Sequence, residues 1–185
     1  MDQQDTPLET GYLLRIGIDH FKEINDNFGQ EYGDFVLKKT AECISGCTSE
    51  GQKVYKLVAD EFLILDVASD EAKDADKLYD KVREAIDRFI ETNEFKVMYT
   101  VSGGIVPFAA LKGNQCSEAL KLTDFALNEA KKLGRNRCYI FNGETYRKFL
   151  RKREITQELR EAVINGFQGF TAFYQPVFAE DKKVP

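Results

Sequence analysis

The sequence predicts an α+β domain in which a central, mostly antiparallel sheet is flanked by helices, in a palm-type or ferredoxin-like arrangement. Strand-like and helix-like segments follow one another in the order β-α-α-β-β-α-β-α-β. Two βα units flank a hairpin, which favours an antiparallel sheet with helices packed on one face. The 185 residues are 43% hydrophobic and 31% charged, a balance typical of a globular chain with a real core.

The first half of the chain begins with a strand that reads GYLLRIGID, residues 11–19. Its nearly continuous apolar character indicates a central position in the sheet. Asp19 occupies the place of a helix N-cap, ahead of a helix that reads HFKEINDNF. A second helix is expected over about residues 31–47, where apolar side chains recur on one face.

The middle of the chain predicts a hairpin, a long amphipathic helix and another strand. The hairpin strands read QKVYKLV and EFLILDV, and the helix covers residues 69–91. The strand over residues 95–106 contains Gly103 and Gly104, which indicate a bulge or a close approach of another backbone.

The last third predicts a helix from a Ser117 cap to a Gly134 stop, then a strand over residues 136–142. Residues 144–167 have the pattern of a highly charged helix with a thin apolar stripe, typical of a connector between domains. The chain ends on FTAFYQPVFAEDKKVP, which has the character of a beginning strand.

Composition excludes several classes of function. The net charge of −5 argues against a protein that mainly grips nucleic acid or anionic lipid. Cys43 and Cys47 face the same side of a helix, and no cysteine pair has the Cys-x-x-Cys spacing of a zinc or redox site. His20 is the only histidine, which argues against a His-rich metal site and a His-based catalytic triad. No apolar run is long enough to cross a bilayer, so the sequence predicts a cytoplasmic domain that contacts no membrane, a location compatible with an anchor elsewhere in a longer chain.

Cationic groups and helix ends suggest a phosphate site at one edge of the sheet. The turn after the first strand directs the backbone amides of His20, Phe21 and Lys22 outward from a helix N-terminus. Lys131 and Arg135 lie four residues apart at the end of a later helix, where they would neutralise a polyphosphate. Taken alone, each of these features is equally compatible with an ordinary helix end.

The hairpin tip carries two acids and no glycine. Val58 and Ala59 come first, and Asp60 and Glu61 follow. Tight hairpin turns usually contain residues that tolerate positive φ, and carboxylates beside a nucleotide are suited to Mg²⁺. The tip therefore suits a metal ion beside a nucleotide, although an acidic hairpin tip taken alone is usually just solvated.

Four blocks of the sequence resemble the GGDEF family of diguanylate cyclases. These blocks, in family order and spacing, read IDHFKEINDNFGQEYGD, VADEF, TVSGGI and TDFALNEAKKLGRN. The resemblance covers residues 11–142, and the segment LREAVINGFQGFTAFYQPV resembles the opening of an EAL domain, the cyclic di-GMP phosphodiesterase. It implies a GGDEF domain at residues 11–142, a connecting helix at 143–165 and the truncated start of an EAL domain at 166–185.

The resemblance implies a palm-like GGDEF fold with GTP as substrate, cyclic di-GMP as product and Mg²⁺ or Mn²⁺ as the cofactor bound with GTP. It implies that two GTP-loaded domains face each other as a homodimer. It places Asn25 and Asp34 at the guanine base, Lys131 and Arg135 on the terminal phosphates, and the amides from His20 to Lys22 on phosphate as well.

The metal site departs from the family pattern. Gly17 stands where the family has an acidic ligand, so the expected ligands are reduced to Asp60 and the backbone of Ile18, with Glu61 beside them. Two-metal catalysis uses carboxylates to fix both ions, and the loss of one predicts a large loss of transition-state stabilisation.

Two further motifs depart from the pattern. Val58 and Ala59 replace the paired glycines, and a positive φ at either would cost roughly 1–2 kcal/mol. The family's inhibitory Arg-x-x-Asp reads Ser49 and Gln52, so that site is predicted to be absent.

These observations predict a degenerate GGDEF domain with no intact catalytic set, which acts as a GTP-sensing or dimerising module for a downstream EAL phosphodiesterase. Two alternatives remain open. The first is a weakly active diguanylate cyclase that uses Asp60 and a backbone carbonyl, and the second is a structural module that binds neither nucleotide nor metal.

Overall fold

The computed structural model describes residues 10–69, 72–92, 97–111 and 116–175. The elements are β1 Tyr12–Ile18, α1 Phe21–Phe28, α2 Gln30–Cys47, β2 Gln52–Lys56, β3 Glu61–Asp66, α3 Ala72–Thr92, β4 Val101–Pro107 with a 3₁₀ turn Phe108–Ala110, α4 Cys116–Lys132, β5 Cys138–Ile140 and α5 Gly143–Ile164. The predicted order of strands and helices and the α+β class are confirmed. The chain divides into two compact units, Met1–Gly143 and Glu144–Pro185.

The first unit is built on a five-stranded sheet in the order β2-β3-β1-β4-β5. All neighbouring strands are antiparallel except β4 and β5, which are parallel. As its apolar sequence predicts, β1 is central, and six of its seven residues are buried. In this register Gly17 lies opposite Glu61 on one side and Ser102 on the other.

Helices cover both faces of the sheet, so the expectation of helices on one face is wrong. On one face, alternate residues of β1 join α2 and α3 in a single buried cluster that includes Leu14, Ile16, Ile18, Val36, Ile44, Tyr79 and Val82. On the other face lies α4, because a Cβ built on Gly104 would be 2.3 Å from the backbone nitrogen of Leu127. The amphipathic pattern of α4 indicated burial but could not indicate which face receives it.

Gly103 and Gly104 explain how two helices reach the same strand. A Cβ on Gly103 would lie 2.8 Å from the Tyr79 ring, on the face that carries α3. The Cβ of a residue at position 104 would instead meet the backbone of α4. The sequence prediction of a close backbone approach is confirmed at Gly104, whereas Gly103 is approached by the side chains of Tyr79 and Cys138.

Several element boundaries differ from the sequence prediction. Helix α1 begins at Phe21 with His20 at its N-cap, so Asp19 is not the cap. Asp19 is instead 3% exposed and accepts hydrogen bonds from distant parts of the chain, which a local pattern cannot show. Helix α4 begins at Cys116, one residue before the predicted Ser117 cap. Strand β4 begins at Val101, while residues 97–100 are not in a strand and 95–96 lie outside the described residues.

The second unit consists mainly of α5. None of its residues is buried, which fits the thin apolar stripe of its sequence. Residues 170–175 form no strand, and the rest of the predicted strand, 176–185, lies outside the described residues. Within the described ranges, no helix combines the length and apolar character that spanning a bilayer requires.

The approach of α4 to β4 gives a stability prediction. We expect Gly104→Ala to lower the free energy of unfolding by roughly 3 kcal/mol, because the new methyl group would meet rigid helix backbone. Gly46→Ala is the matched control, since Gly46 is in α2 with nothing within 4 Å of the new Cβ. That change should raise stability by up to about 1 kcal/mol through helix propensity. Urea unfolding of both variants measures the difference, and equal stabilities would contradict the close approach.

Candidate functional site

A buried carboxylate organises the edge of the sheet where the predicted site residues lie. Asp19 follows β1 directly, and its oxygens accept hydrogen bonds from Thr100 Oγ1 at 2.7 Å and Ser102 Oγ at 2.8 Å. The backbone amide of Asn136 donates a third hydrogen bond to this carboxylate at 3.2 Å. The end of β1, the start of β4 and the turn between α4 and β5 are therefore joined at one point. Sequence reasoning missed this role of Asp19.

The N-terminus of α1 lies next to this carboxylate. His20 adopts the left-handed region with φ 56°, and its Nδ1 lies 2.6 Å from Glu23 Oε1. The amides of Phe21 and Lys22 are in the first turn of the helix, where backbone N–H groups have no partner within the helix. This is the arrangement that favours an anion.

The turn after α4 carries the two predicted phosphate ligands. Lys131 is in the last turn of α4, and Gly134 with φ 114° ends the helix as the sequence predicts. Arg135 is exposed and left-handed with φ 60°, and its amide donates to Ala130 O at 3.2 Å. A Cβ built on Gly17 would lie 3.1 Å from Lys131 Nζ, so the ammonium group is beside the end of β1.

Asn25 packs against Gly33, the residue before Asp34, where α1 meets α2. Asn25 Oδ1 is buried and has no hydrogen-bond partner among the described residues. A Cβ on Gly33 would lie 1.8 Å from this oxygen, so Asn25 packs directly against this glycine, and the exposed Asp34 is the next residue of α2. The oxygen therefore faces α2, and the N–H donors of a ligand such as the Watson–Crick edge of guanine would reach it after the Asn25 side chain turns outward.

The turn between β2 and β3 shows what the missing glycines cost. Ala59 has φ 55°, a left-handed conformation that disfavours a Cβ by roughly 1–2 kcal/mol. Val58 does not share this strain, and its side chain is 84% exposed. Lys56 Nζ donates hydrogen bonds to Leu57 O at 3.1 Å and to Ala59 O, and these bonds stabilise the turn.

Asp60 in this turn and Glu61, the first residue of β3, have different environments. Asp60 is half-buried, and its backbone oxygen accepts a hydrogen bond from the Ile18 amide at 3.3 Å, which brings the two predicted metal ligands together. Glu61 points to the α4 face instead, where Arg15 Nε donates to its Oε2 at 2.7 Å. Arg15 also lies 3.4 Å from Asp124 Oδ1. The sequence contained one signal for this ion pair, a single arginine within an apolar strand.

The residues present do not fit a two-metal centre. Gly17 supplies no carboxylate, Lys131 places a positive charge beside it, and Glu61 is already paired with Arg15. Of the acids at this edge that the structure describes, Asp60 is half-buried and has no side-chain ion pair. In the part of the chain that the structure describes, no three His, Cys, Asp or Glu side chains are grouped so that they could hold a metal ion.

Ser49 and Gln52 form a small structural network where the family has its inhibitory motif. The Ser49 amide donates to Gln52 Oε1 at 2.9 Å, and Gln52 Nε2 donates to Asp66 Oδ2 at 2.7 Å. Burial alone would raise the pKa of Asp66, but the hydrogen bonds from Gln52, Ala68 and Ser69 together lower it to about 2. These side chains stabilise the edge of the sheet and present no arginine to a ligand.

Along most of its length, the sequence is similar to the sequences of known proteins. The family profile described as "Diguanylate cyclase, GGDEF domain" matches residues 1–137. The chain is 29% identical over 168 residues to the cyclic di-GMP phosphodiesterase NbdA of Pseudomonas aeruginosa, which covers 90% of this chain and 21% of NbdA. It is 30% identical over 130 residues to diguanylate cyclase A of Treponema denticola, which covers 70% of this chain and 34% of that protein.

The fold is similar to that of a solved GGDEF domain. The structure of an N-terminally truncated YfiN (TpbB) from Pseudomonas aeruginosa, which comprises only the GGDEF domain, matches with a TM-score of 0.68 and 27% identity. The match covers 77% of this chain and 83% of that domain. The chain spans only about a fifth to a third of the length of the two curated relatives.

The strained turn gives a second stability prediction. We expect Ala59→Gly to raise the free energy of unfolding by about 0.5–1 kcal/mol, since glycine removes the left-handed strain and loses part of the gain to backbone entropy. Val58→Gly, at a neighbouring position without positive φ, should lower it by a similar amount. Thermal and urea unfolding compare the two variants, and a loss of stability in Ala59→Gly would contradict this description of the turn.

Proposed function

Because the chain belongs to the GGDEF diguanylate cyclase family, we propose that it is a degenerate member that binds GTP and does not convert it. In this proposal the domain serves cyclic di-GMP signalling as a GTP-sensing or dimerising regulatory module for an EAL phosphodiesterase in a longer protein. The observation that carries the proposal is the state of the acidic positions: position 17 is a glycine with the Lys131 ammonium beside it, and Glu61 is paired with Arg15.

The residues that would hold GTP each have a physical role. Asn25 Oδ1 and the carboxylate of Asp34 are acceptors for the N–H donors of guanine. The first-turn amides of Phe21 and Lys22 would bind phosphate oxygens, and Lys131 and Arg135 would neutralise the triphosphate. His20 sets the entry into this helix turn through its left-handed backbone.

The site lacks some of the carboxylates that cyclase chemistry requires. In the family, Mg²⁺ or Mn²⁺ would activate a 3′-hydroxyl and hold the triphosphate, and this needs carboxylates at the end of β1 and in the hairpin turn. Glu61 is held by Arg15, so it does not supply a free carboxylate to that position. Asp60 and the backbone of Ile18 alone would bind a divalent ion weakly.

The phosphodiesterase part of the proposal rests on the tail and on the relatives. Residues 166–185 resemble the start of an EAL domain, and NbdA, which is named a cyclic di-GMP phosphodiesterase, aligns over 90% of this chain. We therefore propose the domain limits 11–142, 143–165 and 166–185. Because GTP is a cytoplasmic metabolite, we place the domain in the cytoplasm.

One observation favours a second candidate, a weak diguanylate cyclase. A backbone hydrogen bond holds Asp60 next to Ile18, which supports a partial metal site, and diguanylate cyclase A is among the relatives. We expect the purified chain to make no measurable cyclic di-GMP from GTP with either Mg²⁺ or Mn²⁺. Chromatographic detection of product measures this, and steady formation that Asp60→Asn abolishes would establish the weak cyclase instead.

Restoring the missing groups tests the same proposal in the other direction. The triple variant Gly17→Asp, Val58→Gly and Ala59→Gly should produce at least traces of cyclic di-GMP, at a rate that rises steeply with protein concentration because two domains must meet. Gly17→Asp alone should not suffice, since groups that act as one catalytic unit are strongly non-additive. A folded triple variant with no product and no GTP binding would favour a structural module.

Guanine selectivity is the third test. We expect GTP to raise the melting temperature of the chain more than ATP does, because ATP would leave the acceptors of the site unpaired. Asn25→Ala should abolish the difference between the two nucleotides and leave the free protein at least as stable, since it removes a buried acceptor that has no partner.

The matched control for Asn25→Ala is Asn27→Ala, an exposed asparagine of the same helix. This variant should keep the preference for GTP. Equal melting shifts with GTP and ATP in the parent chain, or no shift with either, would contradict the proposed guanine site.

A further inference from the structure

We infer that this nucleotide site works without a divalent metal: Lys131 takes the place of the ion, and the ligand is the free, uncomplexed guanosine triphosphate. The inference rests on the proposed function, because it concerns the same site. It goes beyond that function because it specifies the chemical form of the nucleotide and reverses the dependence on metal that the family normally has.

The first argument is the position of the ammonium group. A Cβ at position 17 would lie 3.1 Å from Lys131 Nζ and 3.2 Å from Leu127 Cδ2. A carboxylate at this position would therefore be in direct contact with the lysine. Glycine leaves that space to the lysine side chain, whose positive charge lies at the end of β1. With glycine at position 17, no carboxylate there offsets the repulsion between this ammonium and a divalent ion.

The second argument is the balance of the remaining charges. Glu61 and Arg15 neutralise each other on the α4 face. Asp60 is then the one carboxylate of this edge that can face a cation, whereas Lys131 and Arg135 are both available to an anion. Mg²⁺ sites in nucleotide-binding proteins combine carboxylates with the phosphates of the substrate. Here the protein supplies the positive charge itself.

The third argument concerns the ligand. Mg²⁺ bound to GTP neutralises part of the triphosphate charge and occupies phosphate oxygens. The free nucleotide offers both its full charge and those oxygens to Lys131, Arg135 and the amides at the start of α1. A site whose positive charge comes from side chains and helix amides should therefore bind free GTP at least as tightly as its magnesium complex.

Calorimetric titration of GTP into the whole 185-residue chain tests the inference in two buffers, one with EDTA and one with excess Mg²⁺. We expect the two Kd values to agree within about threefold, or the Kd in EDTA to be the lower of the two. Binding that tightens about tenfold or more on addition of Mg²⁺ would overturn the inference and leave the proposed GTP binding intact. Absence of binding in both buffers would overturn both.

A lysine pair on α4 supplies a matched control. Lys131→Met should weaken GTP binding in EDTA about tenfold or more, because it removes a charge-assisted contact to phosphate. Lys132→Met removes an equal charge from the next residue, which is exposed and paired with Glu129, and should leave the Kd within about twofold. Equal effects of the two substitutions would mean that only net charge matters and would overturn the assigned role of Lys131.

Position 17 supplies the second pair of variants. Gly17→Asp should form an ion pair with Lys131, weaken GTP binding in EDTA about tenfold, and make binding dependent on Mg²⁺. Gly17→Asn adds the same volume without the charge and should keep the metal-independent binding, apart from a common loss caused by the new Cβ. Thermal unfolding checks that both variants fold. If Gly17→Asp binds GTP in EDTA as tightly as Gly17→Asn, Lys131 does not act through this position and the inference fails.

Discussion

The hydrogen bonds to the Asp19 carboxylate are the constraint on which the functional edge of this domain depends. A carboxylate that is 3% exposed would be costly without partners, and here it accepts from Thr100, Ser102 and the amide of Asn136. Removing one donor would leave part of a buried charge unsatisfied. The network therefore holds the turn after α4 against the end of β1, and with it the position of Arg135.

The pairing of β1 with its neighbours decides which face each chemical group reaches. Because side chains alternate along a strand, Arg15 and Gly17 both lie on the α4 face. Arg15 can then form an ion pair with Glu61, and the Lys131 side chain of α4 can occupy the space at Gly17. One glycine and one arginine in a single strand thus account for two positions of the edge, because position 17 has no carboxylate and Glu61 is paired.

Local patterns predicted the elements well and the long-range contacts poorly. The periods of strand and helix gave the element order, and the Gly103-Gly104 pair indicated a close backbone approach. Asp19 was taken for a helix cap because its partners lie 81 to 117 residues away along the chain. The partnership of Arg15 with Glu61 spans 46 residues and was invisible for the same reason. Periodicity reports that a face is buried, and only tertiary packing decides what covers it.

The part of the site that would bind the base and the part that would hold the metal differ in their effect on the free energy of folding. An unpaired buried acceptor such as Asn25 Oδ1 costs about 1–3 kcal/mol, a sizeable part of the roughly 5–15 kcal/mol by which domains are stable. A ligand that donates a hydrogen bond to this oxygen would recover that energy once the Asn25 side chain turns from Gly33 toward it. The acidic half carries no such penalty, because Gly17 is accommodated without strain and Glu61 is satisfied by Arg15. The energetic cost in this structure therefore lies at Asn25, on the side that would bind the base. On the side that would hold the metal, Gly17 is unstrained and Glu61 is already paired.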